Sequence, residues 1–215
     1  MVKVRPYEQR ALYALEQQFK LSSEVIVGFA EDLASLARLF EEFVPSPGSE
    51  FRAGRVVVMG WTNHVHSLLN GGMQAILMGN AAVWSSCVRG LIETFGACVL
   101  ITERPGTAPN FLEHVSAGQL NTAAERGKSG LAGDLKRLHQ IAHPASGAIY
   151  AAATVTDAAS KRAVFRFGLW PVEREDGVEA VIVLANLADL LVKKLADLAT
   201  NEAVLSSGAV ILDRD

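Results

Sequence analysis

The chain has 215 residues, half of them hydrophobic, with a formal net charge of -3. That length supports one sizeable buried core. The slight acidity gives no global pull toward nucleic acid or anionic lipid, which leaves only a local basic patch for either. Composition therefore excludes a polybasic nucleic-acid coat and a collagenous or low-complexity chain.

The first element is expected from about Pro6 to Lys20, where Leu12, Leu15 and Phe19 recur at helical spacing. A second helix follows "LSSE", with Ser22 or Ser23 as cap and Val25, Phe29, Leu33, Leu36 and Phe40 on one face. "VPSPGSEF" ends it. The region from Phe51 through "VVVMGWTNHVHSLLNGGMQAILMGN" reads as a third helix, although Val56 to Met59 alone has the look of a short strand, and Gly71-Gly72 marks a bend or break. The most apolar helix spans roughly Ala81 to Ile101. It is long enough for a bilayer, but Arg89 and Glu93 stand in its middle, and charges there are costly in lipid. A buried core helix and no membrane association are expected. "ERPGTAPN" is a loop, and "APNFLEHVSAGQLNTAAER" reads as a polar helix with Asn110 as its cap. Another helix closes on "LKRLHQIAHPAS". An extended or hairpin insert at about 148–172 follows, where Ala163, Phe165 and Phe167 alternate with Arg162, Arg166 and Gly168. The last helix carries a stripe of Leu184, Leu187, Leu191, Leu195 and Leu198, and about 206–215 is a loose tail. The expectation is one all-α domain over residues 1–215, a helical bundle with a short extended insert before its last helix.

No secretory signal is expected in the first twenty residues, since charges run through them. Cys87 and Cys98 lie on one helix, about 16 Å apart by helical rise, too far for a disulfide. They read as reduced thiols of a cytoplasmic protein.

Chemistry concentrates in two places. Arg89 and Glu93 are four residues apart on the apolar helix and share a face. They fit a structural ion pair, or a polar pocket in which Arg89 holds a phosphate or carboxylate. His139 and His143 also share a face, but Gln140, Ile141 and Ala142 between them supply no glutamate base, and no third ligand is near. No metal site or other cofactor is expected. Pro144 ends the helix at His143, where the helix dipole favours the charged imidazole, as suits a general acid or a simple cap. His64 and His66 diverge on a helix and do not form a joint site.

The Arg89-x-x-x-Glu93 helix, followed some fifty residues later by "LHQIAHPAS", resembles the bacterial HEPN-like helical proteins. The resemblance covers about Ala81 to Ser146. It implies a HEPN-like bundle that works as a homodimer. Arg137 and His143 match the spacing of the family's Arg-to-His ribonuclease motif, while Leu138 stands where that motif usually has a polar residue. Catalysis would be metal-independent attack of the RNA 2′-hydroxyl on the adjacent phosphate. His143 would be the general acid or base, His139 a second proton carrier, and Arg137 or Arg89 would stabilise phosphoryl charge. The resemblance equally implies a non-catalytic member of a bacterial defence or toxin–antitoxin type system that binds a protein or RNA partner. There Arg89, Glu93 and His143 would form one internal network. Of the two, the non-catalytic reading is preferred, and whether the chain is an enzyme is left open.

Overall fold

The structure is a computed structural model, and it describes residues 4–43, 51–112, 115–131, 153–157, 162–165 and 174–211. Among these the chain is predominantly helical. In order they form α1 (Pro6–Phe19), α2 (Ser23–Phe43), β1 (Phe51–Arg52), α3 (Ala53–Leu77), α4 (Ala81–Glu103), a 3-10 helix (Pro105–Leu112) and α5 (Ala117–Gly127). Then come β2 (Ala153–Asp157), β3 (Arg162–Phe165), α6 (Arg174–Ala199), α7 (Glu202–Leu205) and β4 (Val210–Ile211). Strands β2 and β3 pair antiparallel, Ala153 opposite Phe165 and Thr154 opposite Val164.

Helix α3 is the hub, packing against α1, α2, α4, α6 and the 3-10 helix. It is uninterrupted from Ala53 to Leu77, so Val56 to Met59 is helical and Gly71-Gly72 does not break it. The doublet serves close packing instead: a Cβ on Gly72 would stand 2.8 Å from a methyl of Leu184 on α6. Val58, Val65, Leu69, Met73 and Ile76 line the buried side of α3. Opposite them stand Leu15 of α1, Leu33 and Leu36 of α2, and Leu91, Cys98 and Ile101 of α4. All five leucines of the α6 stripe are buried. Each such side chain contributes roughly 1.5–3 kcal/mol by leaving water.

Helix α4 is long and apolar enough to cross a membrane by length and composition, yet 67% of its most apolar window is buried against the other helices. Asn80 caps it, accepting from the Val83 amide at 3.1 Å. The preceding Gly79 takes φ 66°, the left-handed turn that separates α3 from α4 and that glycine adopts freely.

Two stretches differ from expectation. The polar helix does not start at Asn110. Pro105 and Pro109 supply no amide to an α-ladder, so Pro105–Leu112 winds as a 3-10 helix and α5 begins only after Ser116. The chain end is not loose through Ile211. β4 pairs with β1, Ile211 opposite Phe51 and Val210 opposite Arg52. The amides of Ala53 and Gly54 donate to the carbonyls of Ala209 and Ser207, both at 3.1 Å. These are the first residues of α3, whose N-cap Arg52 offers no side-chain acceptor. The carboxyl-terminal stretch thus caps the central helix with backbone carbonyls.

Candidate functional site

Arg137, His139 and His143, the residues proposed for catalysis, lie outside the described residues, as does the whole of "LKRLHQIAHPAS". Their meeting with Arg89 and Glu93 lies outside them too. Arg89 and Glu93 are both on α4, and the Arg89 Nε donates to Glu93 Oε1 at 2.9 Å. Their side chains are 33% and 24% exposed, so the pair sits at the rim of the core rather than within it. At this exposure the pair is a modest helix-surface interaction.

The deepest polar cluster was not anticipated from sequence. Glu8 on α1 is 1% exposed and His66 on α3 is 6% exposed. His66 Nε2 lies 2.7 Å from Glu8 Oε1. The Asn70 amide donates to the same oxygen at 3.1 Å and to the His66 carbonyl at 2.9 Å. The other Glu8 oxygen accepts the Arg5 backbone amide at 2.8 Å, the capping contact expected of a glutamate in the first turn. One carboxyl therefore caps α1 and ties it to α3. Burial lowers the His66 pKa, against the opposing pull of Glu8. His64, two residues earlier, is exposed on the far side of the helix. The cluster joins two helices, with Glu8 and His66 buried and Asn70 partly exposed, so it serves packing.

A second feature is a groove of about 310 Å³ between α2 and α6, lined by Glu24, Glu31, Asp32 and Asp189 together with Val25 and Ile182. Asp32 is pushed up to about 6, first by burial and then by the charge of Asp189. Lys193 donates to Asp189 at 2.7 Å from the rim. Val27, 53% exposed, and Ile182, 39% exposed, stand on the same two helices.

A larger cavity, about 750 Å³, opens where the end of α4, the 3-10 helix and the start of α5 meet. Arg126 of α5 spans part of it with two hydrogen bonds to Glu103, at 3.2 and 2.6 Å. That bridge holds Glu103 below the usual carboxylate range and raises the guanidinium in turn.

Both cysteines are free and buried. Burial pushes Cys98 up to about 12 and raises Cys87 as well, so neither is poised as a thiolate nucleophile. Among the described residues no group of three or more His, Cys, Asp or Glu side chains is placed to hold a metal ion. Compared with known protein families, curated proteins and solved structures, the chain matches none.

Proposed function

We propose that the chain is a HEPN-like, non-catalytic binding protein of a bacterial defence or toxin–antitoxin type system, cytoplasmic and homodimeric. The observation that carries a binding role is the α2–α6 groove. Four carboxylates beside Val25 and Ile182 suit a partner segment that presents lysine or arginine next to an apolar side chain. Two copies meeting through this groove would oppose carboxylate to carboxylate, so the groove is assigned to a different chain and the homodimer to another face. The Glu8–His66–Asn70 cluster supports the same reading, because its groups are spent on joining helices.

The test is fluorescence anisotropy with a labelled lysine- and leucine-rich amphipathic helix as probe, against its glutamate-for-lysine counterpart. The basic probe should bind in a salt-dependent manner, and Asp32→Asn with Asp189→Asn should weaken it about tenfold. Equal binding of both probes, or an unchanged affinity in the double variant, would sink the assignment.

The competing reading, metal-independent RNA cleavage through Arg137, His139 and His143, draws on Arg89. Its guanidinium, 33% exposed and paired with Glu93, stands at the rim of α4.

A further inference from the structure

The cavity at the α4–α5 junction has the size and chemistry of a small-molecule site, and it is remote in sequence from the acidic groove. Its volume, about 750 Å³, lies within the range of roughly 300–1,000 Å³ typical of such sites. Its shape follows from glycine. A Cβ on Gly96 of α4 would run into the Leu120 carbonyl of α5, and one on Gly127 would stand 2.6 Å from Val99. With no side chain at either position, α5 lies directly on α4. Its first turn, at Ser116 and Gly118, lines the cavity together with the last turn of α4, at Leu100 and Arg104.

The polar lining has one sign. Arg126 and Glu103 neutralise each other. The Arg104 guanidinium makes no hydrogen bond or ion pair among the described residues, so of the charges described around the cavity it is the one left over. The start of α5 adds to this field. The first amides of a helix have no carbonyl behind them, and Ser116 does not turn its hydroxyl onto them. The opposite wall is apolar and fixed. Phe111 packs edge-on against Trp61, ring centres 5.0 Å apart at 87°.

We propose that this cavity binds a small organic anion, a carboxylate or phosphate ester joined to an apolar ring or chain. Arg104 takes the anionic head as a planar fork matched to two oxygens, and Phe111 with Leu100 takes the apolar body. The proposal stands apart from the partner-binding role of the α2–α6 groove.

Phenylacetate, phenyl phosphate and neutral phenylacetamide serve as probes, followed by tryptophan fluorescence and by calorimetry. At least one of the two anions should bind saturably in the millimolar range or below, with the amide about tenfold weaker or worse. Arg104→Gln should erase the difference between anion and amide, whereas Arg10→Gln on α1 should leave it intact. The Arg104 side chain is exposed and has no hydrogen-bond partner among the described residues, so its replacement is not expected to disturb folding, and the thermal midpoint checks this. Which anion binds tighter distinguishes a carboxylate ligand from a phosphate ester. Equal affinity for anions and amide, no saturable binding of either anion, or an Arg104→Gln variant that still prefers the anion would overturn the proposal.

Discussion

Replacing Glu8 with alanine tests the tie between α1 and α3. Glu8 is 1% exposed and one of its oxygens meets both His66, at 2.7 Å, and Asn70, at 3.1 Å. Removing the carboxyl deletes these contacts and the cap on the Arg5 amide. A net hydrogen bond is worth about 1 kcal/mol, and an orphaned buried donor costs about 1–3 kcal/mol. The sum is about 3 kcal/mol, which in a chain of this length lowers the melting temperature by about 6–12 °C. Urea unfolding followed by circular dichroism, on Glu8→Ala, His66→Ala and the double variant, gives the coupling directly. The double variant should be at least about 1 kcal/mol more stable than the two single losses predict, because each single change strands the partner. A loss below about 1 kcal/mol in Glu8→Ala, or strict additivity, would refute the reasoning. The pH dependence has a defined sign. Burial holds the folded His66 below its ordinary value. The unfolded ring, near 6.5, therefore takes up its proton first, and this stability is present above about pH 6.5 and lost as pH falls below it.

The sign is opposite at Asp32, which burial and Asp189 push up to about 6. Because the folded protein holds this proton more tightly than the unfolded chain, stability declines as pH rises from about 4 through 6. Asp32→Asn should stabilise by about 1 kcal/mol above pH 6, a figure reduced for the half-exposed position, and by nothing below about pH 4; denaturation midpoints at both ends check it. Gly96→Ala should cost more than about 2 kcal/mol, since its Cβ meets the Leu120 carbonyl and α5 must move off α4; the thermal midpoint reads this. Glu93→Ala should cost under about 1 kcal/mol, as expected for a rim pair four residues apart.

The helices were legible because their apolar residues repeat at helical spacing and the buried face follows that repeat. The α6 leucine stripe and the faces of α1 and α4 are examples. Features set by distant pairings were not. Glu8 and Asn70 are 62 residues apart, and a glutamate in the first turn after Pro6 reads from sequence only as a cap. The cap on α3 comes from backbone carbonyls at Ser207 and Ala209, groups every residue carries, so no sequence signal marks them. At the 3-10 helix the proline spacing was visible, but the helix start was placed on Asn110 when Ser116 was the later, working boundary. Of the candidate site, the four-residue spacing of Arg89 and Glu93 was legible as a shared helix face, and they pair there at the rim of the core. The Arg137, His139 and His143 set lies outside the described residues.

The most direct measurement is RNA cleavage by the purified wild-type chain in EDTA, using structured and unstructured RNAs and tracking cyclic phosphate ends. A non-catalytic binding protein leaves every RNA intact. Cleavage that generates those ends, and that His143→Ala abolishes while preserving the melting temperature, would contradict the account and establish the ribonuclease.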